Sequence, residues 1–305
     1  MTVAVTGATG FVGQAFLDAA ETAGIEVRAL TRRGMPRRRG VEWQRGDLHN
    51  RTTLAKLVER AEAVIHIAGV VNTPDPTGFH LGNVEGTLAL VEAAVAAGVP
   101  RLVFVSSLAA REPRLSAYGA SKRKAEQVVA ASGLDWTIVR PPAIYGPRDR
   151  EILELFKLAS RWGVVPMPPK GRASLIHVDD LARLLLALVP GGESVTHRTF
   201  EADDGRPNGW THRELAQAIG QAVGRKVWAP HLPEPLLRAA AVLDTTLRRA
   251  RAQITPDRVG YMVHRDWVAR AGAGVPDSLW RPEIPTGEGL RATAKWYRAQ
   301  GWLQA

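Results

Sequence analysis

Tyr118 and Lys122 bracket the run Tyr-Gly-Ala-Ser-Lys, so on a helix the phenol and the ammonium share one face. A free phenol titrates near 10, too high for ready proton exchange at neutral pH. A cation within a few ångströms favours the phenolate and lowers that value, which turns Tyr118 into a usable acid or base. Upstream, Phe104-Val105-Ser106-Ser107 closes a strand-like run and brings two hydroxyls to its carboxyl end. A serine there either ties down a turn or hydrogen-bonds a substrate oxygen beside the tyrosine.

A second constellation opens the chain. The run Thr6-Gly7-Ala8-Thr9-Gly10-Phe11-Val12-Gly13 follows the apolar segment Val3-Ala4-Val5 and precedes a helix expected from Gln14 to Ala23. Glycines at this G-x-x-G-x-x-G spacing build an anion site. Gly7 permits the tight turn, Gly10 lets a pyrophosphate approach the backbone, and Gly13 lets helix and strand pack closely. Thr9, Phe11 and Val12 complete the loop, and the helix's free N–H groups and positive dipole end face the phosphates. The second strand, Glu26–Leu30, ends in Thr31-Arg32-Arg33 with no carboxylate. An acid there would bind the ribose hydroxyls of NAD, whereas arginine accommodates the extra phosphate of NADP as a bidentate fork. Arg32 and Arg33 therefore favour NADP(H) over NAD(H). Arg37, Arg38 and Arg39 read as a solvated basic loop.

These residues need a frame. Strand-like runs at Val3–Thr6, Glu26–Leu30, Val41–Gln44, Ala63–Ile67, Leu102–Ser106 and Thr137–Arg140 alternate with helical stretches such as Leu54–Arg60, Val84–Ala97 and Tyr118–Ala131. Continuous apolar strands alternating with helices predict an α/β fold, a doubly wound parallel sheet covered on both faces, with ligands beyond the carboxyl ends of its strands. After Pro141 the alternation decays, and a second composition begins near Asp203. The division expected is a dinucleotide-binding domain over 1–200, with segments of a smaller lobe inserted after 145. A mainly helical substrate lobe over 201–305 would follow. Trp210, Trp228, Trp267, Trp280, Trp296 and Trp302 fall in that last part, where indoles either pack an irregular core or wall an apolar substrate pocket. The run Pro235–Gln253 reads as an amphipathic helix with Arg248, Arg249 and Arg251 near its end. The helix dipole accounts for those arginines, and peripheral contact with a membrane surface is the other reading.

Composition removes several classes of function. The chain has 305 residues, enough for a full core, and no cysteine, so thiolate catalysis, disulfides and cysteine-held metals are excluded. No metal site is expected. No apolar run approaches the roughly 20 residues that span a bilayer. The chain opens directly on a strand, so no secretory signal is expected and the cytoplasm is the expected compartment. The net charge of +10 invites nucleic acid, but aromatic residues are not interleaved with the basic ones, so no nucleic-acid partner is expected.

Eight segments in order resemble the extended or atypical branch of the short-chain dehydrogenase/reductase family. They are TGATGFVG (Thr6–Gly13), GDL (Gly46–Leu48), HIAG (His66–Gly69), NVEGT (Asn83–Thr87), FVSS (Phe104–Ser107), YGASK (Tyr118–Lys122), RPPAIYGP (Arg140–Pro147) and HVDDLA (His177–Ala182). The resemblance implies a Rossmann-type fold with a smaller C-terminal substrate lobe. It implies that Asp47 and Leu48 contact the adenine and that the Ala68–Gly69 backbone passes the ribose and diphosphate. Pro141 to Ile144 would hold the carboxamide. Tyr118 and Lys122 match the catalytic pair, Lys122 also bonding the nicotinamide ribose, and Ser107 matches the substrate-binding hydroxyl better than Ser106. Asn83 and Asp180 match structural positions.

Two departures narrow the chemistry. The family's sugar dehydratases carry an acidic pair directly after the hydroxyl residue, where Leu108 and Ala109 stand here. Only ten residues separate Ser107 from Tyr118, where sugar-nucleotide enzymes carry a longer insertion. The expected function is an NADP(H)-dependent oxidoreductase interconverting a carbonyl and an alcohol on a small, hydrophobic or amphipathic substrate. An epimerase remains within reach of the same apparatus. The alternative is a non-catalytic NADPH-binding protein, redox-sensing or assembly-related, like an auxiliary subunit of respiratory complex I. A monomer and a homodimer both remain open.

Overall fold

A computed structural model describes residues 1–168, 170–249, 252 and 254–304. Six apolar runs become the strands β1 (Thr2–Thr6), β2 (Glu26–Thr31), β3 (Val41–Arg45), β4 (Ala63–His66), β5 (Arg101–Val105) and β6 (Asp135–Val139). A seventh, β7 (Arg198–Phe200), closes one edge. The spatial order is β7-β6-β5-β4-β1-β2-β3, with every pair parallel. The middle strands are buried along nearly their whole length, which is why they read as unbroken apolar runs and not as alternating ones. Strand order reverses between β1 and β4, so the crevice beyond Thr6 and His66 is the topological switch point, where such sheets bind ligands.

Helices α1 (Phe11–Thr22), α2 (Arg51–Val58), α3 (Gly86–Ala96) and α4 (Ala117–Ala130) connect these strands. Leu54, Leu57, Leu90, Ala94, Ala125 and Val129 from α2, α3 and α4 are buried together with Val64, Leu102 and Ile138 of the sheet. α1 starts three residues earlier than the sequence suggests, because Gly10 is its N-cap and the last glycine of the loop already lies inside the helix.

The chain divides into two compact units. One comprises residues 1–140, 181–201 and 275–280 and contains the seven-stranded sheet. The other comprises 141–180, 202–274 and 281–305. Helix α5 (Leu153–Trp162) belongs to the second unit, and α6 (Val178–Ala187) spans the boundary. The second unit continues with α7 (His212–Val223), α8 (Glu234–Arg248), α9 (Pro256–Met262) and α10 (Thr286–Ala299). Its core gathers Tyr145, Phe156, Ile219, Leu290 and Tyr297, with Trp210, Trp296 and Trp302 packed against it. Most of the late tryptophans thus serve packing. Trp228 does not, being 70% exposed. Of the expected amphipathic helix, Arg251 and Gln253 lie outside the described residues.

Candidate functional site

The glycine loop has the shape its spacing demands. Gly7 sits at φ +76°, and a Cβ there would lie 2.5 Å from the Ala68 nitrogen, so the turn after β1 runs directly against the turn after β4. A Cβ on Gly13 would lie 2.1 Å from the Gly7 carbonyl oxygen. Gly10 is looser, its nearest such contact being Gly7 O at 3.2 Å, and no side chain caps α1. The first N–H groups of α1 are therefore presented beyond the strand ends, as a diphosphate requires. Thr9, Phe11 and Val12 line this turn, half-buried. The cradle fits a dinucleotide on grounds of space and donors alone.

A buried relay fixes the two turns relative to each other. Ala68 N donates to Thr6 Oγ1 (3.3 Å), and Thr6 Oγ1 lies 2.6 Å from His66 Nδ1. His66 Nε2 lies 2.8 Å from Thr87 Oγ1, which donates to the Asn83 carbonyl at 2.6 Å. With Thr87 donating onward, its oxygen accepts from Nε2–H, and Nδ1 accepts from Thr6. Burial, and then the Lys122 charge, push the His66 pKa down to about 3, which keeps the ring in this neutral form. Asn83 clamps the following residue: its Oδ1 accepts from Val70 N (2.6 Å) and its amide donates to Val70 O and to Ser121 Oγ, each at 2.9 Å. Ala68 and Gly69 are thus held by their neighbours with no help from their own side chains. Asp180, in the other unit, accepts from the Glu283 and Ile284 nitrogens, both at 3.1 Å. Both side chains hold backbone groups in place.

Asp47 and Leu48, the residues expected beside the adenine, follow β3. Asp47 Oδ1 accepts from His49 N at 2.8 Å, and Leu48 packs where a Cβ on Gly86 would stand. Arg32 and Arg33 are exposed just beyond β2, and the Thr31 hydroxyl donates to the Arg33 carbonyl at 2.8 Å. Arg38 is engaged elsewhere, with Asp18 at 2.7 Å and Glu21 at 3.3 Å on α1. It is a structural clamp and not a solvated side chain. Pro141 and Ile144 lie in the other unit, Ile144 in a short strand paired with Leu175–His177.

The two residues expected to handle the proton, Tyr118 and Lys122, sit on the first two turns of α4. Ser116 caps that helix, its hydroxyl accepting from Gly119 N at 2.9 Å, so Tyr118 lies in the first turn, where the helix dipole favours a phenolate. Tyr118 is half-buried beside the Phe79 ring, 5.8 Å between centroids. Lys122 lies one turn on, 4% exposed. Its Nζ donates to the Val105 carbonyl at 2.7 Å and rests 4.6 Å from the Phe104 ring centre. A Cβ on Gly69 would approach the same Nζ to 3.6 Å. Desolvation lowers the Lys122 pKa to about 8, against the pull of Glu126 in the other direction.

The two serines separate cleanly. Ser106 is buried and donates to Glu126 Oε1 at 2.6 Å, so it belongs to the frame. Ser107 caps the 3-10 turn Leu108–Arg111, its Oγ accepting from Ala109 N at 3.2 Å. That bond uses a lone pair of the oxygen and leaves the hydroxyl its donor capacity. The turn-tying reading of a strand-end serine holds for Ser107. The same turn meets α4, because a Cβ on Gly119 would lie 2.6 Å from the Ala109 carbonyl oxygen. Gly119 therefore sets how closely the Ser107 turn approaches the Tyr118 turn.

Reasoning from sequence missed the group beneath. Glu126, 4% exposed at its side chain, receives Arg140 Nε at 2.8 Å and Nη2 at 2.7 Å, besides Ser106 and Arg123. Arg140 and Arg111 also face Glu201, at 3.7 and 3.1 Å. This buried ion network joins the ends of β5, β6 and β7 to α4. The available signal was a glutamate four residues beyond Lys122.

Known proteins resemble this chain along most of its length. Residues 3–201 match the family described as the NAD dependent epimerase/dehydratase family. A ceramide reductase of Caulobacter vibrioides is 38% identical over 99% of this chain and 96% of its own length. A 4-hydroxy-2-methyl-3-oxo-4-farnesyl-3,4-dihydroquinoline-1-oxide ketoreductase of Stigmatella aurantiaca is 30% identical over 81% of this chain and 80% of its own. Among solved structures, MoeE5 in complex with UDP-glucose and NAD has the same fold, with a TM-score of 0.76, 22% identity, and coverage of 98% and 99%.

Proposed function

Because the chain belongs to the NAD dependent epimerase/dehydratase family, we propose that it is an NADPH-dependent ketoreductase acting on a long-chain, ceramide-type lipid carbonyl. Membership makes it an NAD(P)-dependent enzyme of the dehydrogenase, reductase or epimerase type. The observation that carries the substrate reading is the likeness to the ceramide reductase, which covers 99% of the chain and so continues well beyond residue 201, where the family model stops. The ketoreductase relative acts, by its name, on a farnesyl-bearing compound, again one with a long apolar chain. Leu108 and Ala109, 2% and 6% exposed, supply no acid for dehydration.

In this reading the glycine loop and the N-terminus of α1 hold the diphosphate, with Asp47 and Leu48 beside the adenine and the Ala68–Gly69 backbone along the ribose. Arg32 and Arg33 take the extra phosphate of NADPH, since no carboxylate ends β2 to repel it. Bound nicotinamide supplies a hydride to the carbonyl carbon. Ser107 donates a hydrogen bond to the carbonyl oxygen and stabilises it as negative charge develops. Tyr118 then gives that oxygen its proton, and Lys122, together with the α4 dipole, stabilises the phenolate left behind.

The test is cofactor consumption, with NADPH and NADH compared, against an oxidised ceramide, a short water-soluble ketone and UDP-glucose. NADPH turnover with the ceramide ketone, well above that with the short ketone, is expected. Equal use of NADH would overturn the cofactor assignment, and interconversion of UDP-glucose alone would overturn the substrate class.

A further inference from the structure

α8 is packed with its apolar stripe outward. At about 100° per residue, Leu236, Ala240, Leu243 and Leu247 fall in one narrow line along the helix. All four are exposed, the three leucines at 58%, 60% and 73%. Val242, at 58%, and Ala239 widen the stripe on one side. The inward positions are Leu237 and Ala241, which meet Val259 of α9 with Leu232, Ile254 and Val263 around them. Charged groups keep away from the stripe: Glu234 pairs with Arg238 at 2.7 Å, and half-buried Asp244 holds Arg248 at 3.2 Å and accepts from Ile254 N. A helix serving only a protein core turns its apolar face inward. The dipole accounts for the terminal arginines but not for these leucines.

The end of α8 and the segment leading into it are cationic and aromatic. Arg248 and Arg249 end the helix, both exposed. The segment leading into α8 carries exposed Arg225, Lys226 and Trp228, and its backbone pairs with the segment after Trp162, Trp228 N donating to Gly163 O at 2.8 Å. Trp162 is itself 64% exposed, with the Arg161 guanidinium 5.0 Å from its ring centre. Exposed indoles beside guanidinium groups suit the headgroup region of a bilayer, apolar on one side and wet on the other. A chain with a net charge of +10 repels a second copy of itself and is drawn to an anionic surface.

We propose that this face docks on an anionic phospholipid bilayer, with α8 lying in the interfacial plane, its leucines at the acyl boundary and Arg248 and Arg249 among the headgroups. The inference stands on the surface chemistry alone and does not depend on the identity of the substrate. The experiment is co-sedimentation of the full chain with vesicles of phosphatidylglycerol and phosphatidylcholine in equal parts, and with phosphatidylcholine alone. Binding to the anionic vesicles is expected, weakened about a hundredfold or more in Leu243→Ser/Leu247→Ser by the loss of two apolar side chains from the bilayer. Arg248→Gln/Arg249→Gln is expected to lose the preference for anionic lipid. Unchanged melting temperature in both variants, and unchanged reductase activity on detergent-dispersed substrate, would separate docking from folding and from the catalytic assignment. Wild-type protein that stays in the supernatant, or leucine variants that sediment as well as wild type, would overturn the proposal. So would light scattering showing a dimer that the leucine substitutions dissolve, since the face would then belong to a second copy.

Discussion

Replacing Glu126 by glutamine links the buried ion network to catalysis in a way that can be measured. Glu126 lies one turn beyond Lys122 on α4, so the two side chains are neighbours on one face. A unit charge roughly 6 Å away at an effective dielectric near 20 is worth about 3 kcal/mol, or about two pKa units. Relaxation reduces this, and we expect the Lys122 pKa to fall by about one to two units from its value of about 8 in the wild type. The sign follows from burial: the lysine is already held below its ordinary value, and it loses its charge as pH rises through the folded pKa. In the proposed mechanism carbonyl reduction needs that cation. The alkaline limb of kcat/KM should therefore begin near pH 8 in wild type and move to lower pH in Glu126→Gln. The substitution also leaves Arg140 short of its bidentate partner, costing about 3 kcal/mol of stability, read as a lower Tm. A folded variant with a lowered Tm and an unmoved alkaline limb would refute the assignment of that limb to Lys122.

Other substitutions probe the frame and the cofactor. In Gly13→Ala the new Cβ meets the Gly7 carbonyl oxygen at 2.1 Å, so the loop must open; loss of NADPH binding by calorimetry and a Tm lower by the equivalent of about 1–3 kcal/mol are expected. Gly119→Ala drives a Cβ to 2.6 Å from the Ala109 carbonyl oxygen and parts the Ser107 turn from Tyr118. Its kcat should fall about tenfold or more with NADPH affinity kept, as misplaced reacting groups do. Arg32→Ala/Arg33→Ala should raise the Kd for NADPH by about 10–100-fold in low salt and leave NADH unchanged, as measured by fluorescence titration.

The parallel sheet was legible because each central strand is buried on both faces and so written in unbroken apolar residues, with glycines and serines marking its ends. The glycine loop was legible for a related reason: Gly7 and Gly13 stand where a Cβ cannot fit, and such positions leave a mark in residue type. The ion network around Glu126 was not, because its members come from α4, β6 and the ends of β5 and β7, and only the fold brings residues 106, 126, 140 and 201 together. Ser116 and Gly119 were overlooked because a serine ahead of a helix and a glycine in its first turn are also ordinary helix-start residues. Their roles depend on what the neighbouring 3-10 turn presents. Arg38 looked like its neighbours Arg37 and Arg39, and its pairing with Asp18 and Glu21 rests on α1 passing beside the loop. The outward leucines of α8 were hidden for the opposite reason: periodicity gives the stripe but not the direction in which it faces.

Tyr118→Phe removes a single oxygen atom and tests proton delivery by Tyr118 during NADPH-dependent reduction. With an oxidised ceramide as substrate, wild type should consume one NADPH per alcohol formed. The variant should bind NADPH as wild type does and lose activity by about 10²–10⁴-fold, the usual contribution of a general acid. Turnover that survives the substitution undiminished would contradict the account.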